Sequence, residues 1–356
     1  MISLPVDVVK LSVIIPTFNR ARSLRATLHS LLEQDLGTAS YEIIVVDNNS
    51  SDDTAAAVRE ILAHSAVDVR YLHEPRPGVH YARNLAATHA RGRVLYYTDD
   101  DMVADRQVLS ELLKPFALDP RIGVVTGRVL PIWEREPPAW VVRYCANTLL
   151  SLQLRTEDLI IADEDPGVWS CHEAIRKDVL FDCGGFNPEN TEGQWVGDGE
   201  TGLNLKVQAR GYKFAFTGKA ITHHVIPAAR MTQRYLRKRL ENQGNADVFT
   251  WYRRDRPDNT RLVKAELTSL WNCGREMLAG VSKFVTRNDA WRMHIARISY
   301  FRARLAYCRR LRREPGWREF VVRENWIQES RQAGVGGLPP ASADDGFAGG
   351  AATLRS

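Results

Sequence analysis

Three consecutive carboxylates, Asp99, Asp100 and Asp101, directly follow a strand-like apolar run at positions 94–97. Adjacent acids repel one another, so their position at the end of a strand indicates that a cation binds there. Mg²⁺ and Mn²⁺ take oxygen ligands and usually complete their coordination shell with water and substrate phosphates. Because aspartate is also a favoured turn residue, the triplet predicts a metal site only together with the polar residues that precede it.

Polar side chains also follow the first two apolar runs of the chain. Thr17, Asn19 and Arg20 come after the first run and offer hydroxyl, amide and guanidinium donors. Asp47 ends the second run and offers an acceptor for the N–H of a pyrimidine base or for a ribose hydroxyl. Donors and acceptors of these types are suited to a nucleotide.

The apolar pattern predicts the elements that position these side chains. Four runs read as strands: 11–15, 41–46, 69–72 and 94–97. Segments with helical spacing alternate with them, and this rhythm is typical of a parallel, doubly wound sheet. Ligands of such sheets bind at the carboxyl ends of the strands, so the polar clusters are expected to converge. Arg83 and Asn84, on the helix at 80–90, would contact base, ribose or phosphate there.

Two common nucleotide motifs do not occur in the sequence. No Gly-x-Gly-x-x-Gly follows the first strand, and no Gly-x-x-x-x-Gly-Lys-Ser/Thr is found anywhere in the chain. A dinucleotide fold and a phosphate-cradling P-loop are therefore disfavoured. We expect a metal ion to neutralise the phosphate charge instead.

Four segments in order, 13–20, 45–52, 77–84 and 97–101, resemble the family 2 glycosyltransferases, and the similarity covers roughly residues 10–245. The resemblance implies the GT-A nucleotide-diphospho-sugar transferase fold, a nucleotide diphosphate donor, inversion at the anomeric carbon, and Mn²⁺ or Mg²⁺ as cofactor. It implies a family Asp-x-Asp at Asp99 and Asp101, with Asp101 the direct metal ligand. By matching, Thr17, Asp47 and Arg83 would bind the nucleotide, and the predicted nucleotide-binding set is completed by Pro16, Asn19, Arg20, Asn84, Asp99 and Asp100.

An inverting transfer needs a carboxylate that takes the proton of the acceptor hydroxyl, a contribution of about 10²–10⁴-fold. The family places this acid just before a helix that ends in a Gly-aromatic turn, and counting back from Gly211 puts Glu200 at that position. The segment 197–200 reads Gly-Asp-Gly-Glu where the family usually has Gly-Glu-Asp, so Asp198 is the second candidate. Helix capping is the alternative role for either acid.

Further residues on the donor and acceptor side follow from the same resemblance. Cys171 and His172 stand where the family usually has a small residue and Asn, which bears on donor specificity. Trp169 and Trp195 are assigned to the same side of the site. Adjacent strand residues face opposite ways, so at most one of His223 and His224 is expected to complete the metal shell, and His224 is preferred. For each histidine, ordinary packing is the alternative.

Composition limits the compartment and the domain plan. No apolar run approaches the length of a membrane span, and no leader pattern precedes position 11. The five cysteines lack zinc-type spacing, which fits reduced thiols and a cytoplasmic location. We expect a catalytic domain at 1–228, a basic helical extension at 229–331 and a disordered, Gly- and Ala-rich tail at 332–356.

Positive charge is concentrated in one segment. Residues 230–331 carry 24 Lys and Arg against 11 Asp and Glu, a net charge of +13, and the remainder carries −8 within the total of +5. An apolar stripe from Trp291 to Cys308, surrounded by arginines, would either pack on the catalytic domain or lie on an anionic membrane. A peripheral position on the inner face of the plasma membrane is one expectation. No recognition motif supports nucleic-acid binding.

The predicted function is therefore transfer of a sugar, with a UDP-sugar favoured as donor, in polysaccharide or cell-surface glycan biosynthesis. The expected acceptor is a glycan or a polyprenyl-diphosphate-linked sugar. Two alternatives stay open: a catalytically silent nucleotide-sugar-binding partner, and a sugar nucleotidyltransferase. The second normally has a glycine-rich basic loop after the first strand, and the residues that follow Pro16 do not form one.

Overall fold

Four parallel strands with intervening helices build the first half of the protein. The computed structural model describes residues 9–328. Strands β1 to β4 pair in the order β3-β2-β1-β4. The strands are β1 (Leu11–Thr17), β2 (Tyr41–Asp47), β3 (Asp68–His73) and β4 (Val94–Thr98), and the helices are α1 (Ala21–Leu32), α2 (Thr54–Leu62) and α3 (Val79–His89).

The second half extends the same sheet with strands of both directions. Beyond β4 the order continues β8-β6-β11-β5, and β7 also pairs with β11. β8 is antiparallel to β4 and β6, whereas β6 and β11 are parallel. These strands are β5 (Met102–Ala104), β6 (Ile122–Trp133), β7 (Leu159–Ala162), β8 (His172–Arg176) and β11 (Lys213–Ile226), and a separate hairpin is formed by β9 (Asn190–Thr191) and β10 (Gln194–Trp195).

The central strands are buried on both faces, which explains their continuous apolar runs. In β1, Val13 and Ile15 face one core, and Ile14 faces the other. Helices cover both faces, so alternate residues along each strand contact different helices. The helices of this half are α4 (Val108–Leu113), α5 (Ala139–Cys145), α6 (Lys177–Asp182) and α7 (Gly199–Ala209).

Four helices follow the sheet: α8 (Gln233–Asp255), α9 (Asn259–Val285), α10 (Trp291–Arg313) and α11 (Pro315–Val322). The Thr232 hydroxyl caps α8 by accepting a hydrogen bond from Tyr235 N, and Asp258 caps α9 in the same way through Arg261 N. The chain then returns to the sheet, where the backbone N–H groups of Trp326 and Ile327 donate to Gly184 O. The segment that follows α11 therefore packs against the turn after α6.

The predicted fold class is confirmed, a mostly parallel α/β sheet followed by helices. Strand β8 departs from a purely parallel arrangement, and with it β5 and β7. The division at 228/229 stays a prediction, and the expected tail at 332–356 lies outside the described residues.

Substitution of Gly127 on β6 tests how closely the second half of the sheet is packed. A Cβ atom there would lie 2.1 Å from Ala220 O and 2.7 Å from His172 Nε2. We expect Gly127→Ala to lower the free energy of unfolding by about 3 kcal/mol, because backbone and a buried ring must move. Urea denaturation measures the change.

The matched control is Gly274→Ala on α9, where an added Cβ would have no neighbour within 4 Å. Higher helix propensity should make this variant neutral or more stable by up to about 1 kcal/mol. Equal effects of the two substitutions would contradict the packing at β6.

Candidate active site

The ends of β1 and β4 meet at one edge of the sheet. The Thr17 hydroxyl donates to Asp100 Oδ2 at 2.7 Å. Arg20, just beyond β1, donates from Nη1 to Asp100 Oδ1 at 3.1 Å and to Asp101 Oδ2 at 2.6 Å. Asp100 and Asp101 are buried, while the Arg20 side chain is 41% exposed. The acidic triplet therefore has a cationic partner within the chain itself.

The end of β2 adds a second acceptor to this edge. Asp47 Oδ1 accepts a hydrogen bond from Ser50 N, and Oδ2 accepts one from the Tyr71 hydroxyl. Asn19 has a φ of +53°, and its side-chain oxygen accepts from Ser51 N. This contact ties the loop after β1 to the loop after β2. Pro16 is buried within β1.

Asp101 and His224 form the pair best suited to a metal ion. Val225 N donates to Asp101 O, which brings the end of β11 beside the triplet. Asp101 Oδ1 is buried without a hydrogen-bond partner among the described residues, and it lies 3.6 Å from His224 Nε2. Two ligand atoms that are each about 2.1 Å from one cation can stand at this separation.

The His224 ring is already oriented for such a role. Its Nδ1–H donates to Leu150 O at 2.9 Å, so Nε2 carries the ring's lone pair. Arg230 donates to that nitrogen at 2.5 Å and to Asp101 Oδ2 at 3.1 Å. The guanidinium therefore lies between the same two groups that would hold a cation. His223 faces away and lies 3.4 Å from Asp105.

Within residues 9–328, no three His, Cys, Asp or Glu side chains cluster tightly enough to hold a metal alone. Asp101 and His224 fit a cation as two of its ligands, and water and substrate oxygens would supply the others. Asp99 is 37% exposed and lies beside them, bonded to Arg83. Its role as a ligand stays a prediction.

Burial and neighbouring charges shift the pKa values of the two buried aspartates in opposite directions. Burial alone would raise the pKa of Asp101, but His224, Arg230 and Arg20 together lower it below its ordinary value. Burial raises the pKa of Asp100 to about 7, although Arg20 opposes the change.

Arg83 joins two parts of the site. Its side chain is 4% exposed, and it donates from Nη2 to Asp99 Oδ1 at 3.3 Å and from Nη1 to Glu189 Oε2 at 3.0 Å. Burial opposes its charge, yet Glu189 and Asp99 raise the pKa of Arg83 above its ordinary value. Arg83 therefore carries a full positive charge at the floor of the site.

The two candidate bases occupy different environments. Asp198 is buried, and its oxygens accept hydrogen bonds from Asn187 Nδ2 and the Thr250 hydroxyl, both at 2.8 Å. Glu200 is half-buried in the first turn of α7, where it accepts one hydrogen bond, from the Ser170 hydroxyl at 3.1 Å. Glu200 therefore keeps acceptor capacity for a substrate, whereas Asp198 holds the loop to α8.

Two further carboxylates surround Arg83, and sequence reasoning missed both. Burial, followed by the nearby charge of Glu200, raises the pKa of Glu189 to about 7. Both oxygens of Glu173 on β8 are buried without a hydrogen-bond partner among the described residues, and burial and Glu200 raise its pKa well above the ordinary value. The acids on either side of Gly199, from which the base was predicted, do not indicate Glu189 or Glu173.

Asn84 and His172 are committed to contacts within the protein. The Asn84 side chain bonds both the N–H and the C=O of Phe186. His172 is fully buried between the Tyr96 hydroxyl at 2.9 Å and Ala220 O at 3.1 Å, and burial lowers its pKa to about 4. Trp169 and Trp195 are half-buried, and the indole N–H of each has no partner among the described residues.

Comparison with known proteins agrees with this geometry. The sequence model described as glycosyl transferase family 2 matches residues 12–183. The uncharacterized glycosyltransferase Rv0539 of Mycobacterium tuberculosis is 32% identical over 174 residues, which cover 49% of this chain and 70% of the relative. The chain belongs to glycosyl transferase family 2.

Other relatives match over shorter stretches of their own length. The uncharacterized glycosyltransferase YfnE of Bacillus subtilis is 35% identical over 105 residues, 30% of this chain and 26% of YfnE. The chain thus spans about a quarter of that relative. A solved structure, the mannosyltransferase PcManGT of Pyrobaculum calidifontis in complex with GDP-Man and Mn²⁺, shares the fold with a TM-score of 0.56 and 21% identity over 83% of this chain and 86% of that one.

The buried carboxyl of Glu173 should make stability depend on pH. Its folded pKa is raised, so the native state keeps a proton that the unfolded chain releases above about pH 4.3, and stability falls as pH rises. We expect Glu173→Gln to gain unfolding free energy relative to the wild type as pH rises from 5 to 8, at up to about 1.4 kcal/mol per pH unit for as long as folded Glu173 keeps its proton. Urea titrations at the two pH values measure this difference.

Glu60→Gln serves as the control, because the Glu60 side chain is 67% exposed and pairs only with Arg25 among the described contacts. Its effect should be small and independent of pH. A constant difference between Glu173→Gln and the wild type from pH 5 to pH 8 would show that Glu173 has an ordinary pKa.

Proposed function

We propose that this protein transfers a sugar from a nucleotide diphosphate donor to an acceptor hydroxyl with inversion, assisted by Mn²⁺ or Mg²⁺. One observation carries the proposal: the buried guanidinium of Arg83 lies in contact with Asp99 of the Asp-x-Asp and with Glu189, and its charge is coupled to Glu200. The acid assigned to the donor, Asp99, and the candidate base, Glu200, are therefore both near Arg83. Family membership supports the same reaction class.

Binding of the nucleotide is assigned to the ends of β1, β2 and β4. Asp47 and Thr17 provide a buried acceptor and a hydroxyl, and Arg20 provides positive charge beside the acids. Asn84, through Phe186, positions the loop that carries Glu189. A bound cation would supply charge neutralisation of the departing diphosphate. Asp101 and His224 would hold it, with Asp99 beside them.

Glu200 is the proposed general base. The carboxylate has one hydrogen bond, from Ser170, and the rest of its acceptor capacity is available to an acceptor hydroxyl. When the hydroxyl attacks the anomeric carbon, its proton passes to Glu200 while the bond to the diphosphate breaks. Arg83 stabilises the surrounding negative charge.

We assign the donor and the acceptor from family resemblance. A UDP-sugar is our preferred donor. Because the structure of PcManGT contains GDP-Man, guanosine donors should be tested as well. A growing glycan or a polyprenyl-diphosphate-linked sugar is the proposed acceptor. A silent binding partner is the alternative that the tests below separate from an enzyme.

Exchange of Glu200 for glutamine should separate binding from chemistry. We expect Glu200→Gln to reduce nucleoside diphosphate release by at least about 10²-fold, because the proton acceptor is lost. Donor affinity, measured by calorimetry, should stay within about twofold of the wild type.

Asp198→Asn is the matched control. The amide can keep both contacts, since it accepts from Asn187 and donates to the Thr250 hydroxyl, which is also an acceptor. Turnover should therefore stay within a few-fold of wild type. A reversed outcome, with Asp198→Asn inactive and Glu200→Gln active, would reassign the base.

Arg230 should compete with a metal ion for Asp101 and His224. We expect Arg230→Met to bind Mn²⁺ about tenfold more tightly without nucleotide, because a like charge leaves and His224 Nε2 becomes free. The electron paramagnetic resonance signal of free Mn²⁺ measures binding directly. Arg302→Met, on an exposed position of α10, is the control. Weaker Mn²⁺ binding by Arg230→Met would contradict competition.

A further inference from the structure

Helix α9 presents a continuous apolar face to solvent. Nine large apolar side chains on it are 39–76% exposed, and they fall at helical spacing on both sides of Gly274: Val263, Leu267, Leu270, Trp271, Met277, Leu278, Val281, Phe284 and Val285. At about 100° per residue they occupy an arc of roughly 140°, and they extend over about 33 Å of the helix. We call these nine residues the α9 apolar face.

The buried side of the same helix carries two acids: its buried residues are Leu262, Glu266, Ser269, Glu276 and Gly280. Glu266 is 7% exposed and accepts hydrogen bonds from Arg309 and Arg312 of α10. Glu276 is 6% exposed and contacts His294 at 2.7 Å. A surface helix normally turns its apolar side inward. In α9 the charged residues hold the helix to α10, and this leaves the apolar face outward.

The stripe on α10 that the sequence singled out behaves differently. Ile295, Ile298, Phe301 and Leu305 are half-buried, and α10 lies between α8 and α9. Their apolar surface is therefore largely used for helix packing. The surface left for a partner belongs to α9.

Charge on α9 identifies the kind of partner. Throughout α9, every residue of which the structure describes, the exposed ionic side chains are cationic: Arg261, Lys264, Arg275 and Lys283. Its two acids, Glu266 and Glu276, are buried in ion pairs. An apolar face bordered by positive charge is complementary to a lipid surface that has an apolar interior and negatively charged headgroups.

We propose that the α9 apolar face docks in the plane of an anionic lipid bilayer. Helices with this composition bind at the headgroup–acyl boundary, and Trp271 and Phe284 are residue types favoured at that depth. Within residues 9–328, no helix combines the length and the apolar content needed to cross a bilayer. A second copy fits less well, because pairing two α9 faces would bring cations against cations.

Flotation of the full chain with lipid vesicles tests this inference. We expect binding to phosphatidylcholine vesicles that contain phosphatidylglycerol, and at least tenfold weaker binding to pure phosphatidylcholine. Raising NaCl from 0.1 M to 0.5 M should weaken the anionic preference several-fold, because the Debye length shortens. If the chain binds neither kind of vesicle, the proposal is overturned.

Paired variants locate the contact. Leu278→Glu should reduce binding to anionic vesicles at least tenfold, whereas Leu118→Glu, the same change at an exposed leucine outside α9, should leave it unchanged. Lys264→Gln and Lys283→Gln should each reduce it about fivefold. Equal losses for Leu278→Glu and Leu118→Glu would overturn the assignment to α9.

Sedimentation velocity tests the competing occupant. We expect a monomer at micromolar concentration for both the wild type and Leu278→Glu. A wild-type dimer that Leu278→Glu dissociates would overturn the membrane proposal and make the α9 apolar face a self-association surface. None of these measurements requires a sugar donor, so their outcome is independent of the proposed transferase activity.

Discussion

The ion pairs of the buried Arg83 guanidinium are the contacts on which the site depends. A buried guanidinium needs carboxylates that compensate its charge, and removing one partner of a buried pair typically costs about 3–5 kcal/mol. Glu189, which is 13% exposed, pairs with Nη1, and Asp99, which is 37% exposed, pairs with Nη2. The next residue, Asn84, fixes the turn at Phe186. Helix α3 thereby sets the distance between the acidic triplet and the loop that leads to α7.

A second consequence of these pairs is electrostatic. Glu173, Glu189 and Glu200 gather around one cation, so the negative charge exceeds the positive, and burial of the excess raises the pKa of Glu173 and Glu189. Glu200 and Glu189 are half-buried, whereas Glu173 is fully buried. Glu200 accepts a single hydrogen bond, from Ser170, and its remaining acceptor capacity is the reason for proposing it as the base.

Much of the fold follows from local sequence. The runs that form β1, β2 and β4 are continuously apolar because both faces are covered, and each was predicted within about two residues of its observed end. Strand direction was less accessible. The antiparallel course of β8 depends on its partners β4 and β6, which are far away in sequence, and no residue of β8 encodes it alone.

Contacts between residues far apart in sequence also limit what can be predicted about the site and about α9. Thr17 and Asp100, which an ordered motif identified, lie in contact. Glu189 lies in an irregular segment and Arg230 in a short 3-10 helix, and only the folded chain brings them to Arg83 and Asp101. An apolar period of 3.6 predicts an amphipathic helix but not the side that it buries. In α9 the ion pairs of Glu266 and Glu276 decide this, and they require α10.

The central claim is that the edge formed by Thr17, Asp47 and the acidic triplet binds a nucleoside diphosphate together with a divalent cation. Calorimetric titration with UDP, GDP and dTDP, each with Mn²⁺ and with a chelator, tests it most directly. We expect one of the three to bind in the presence of Mn²⁺ and to bind at least about tenfold more weakly in the presence of chelator. Failure of all three to bind, or binding that the chelator does not change, would contradict it.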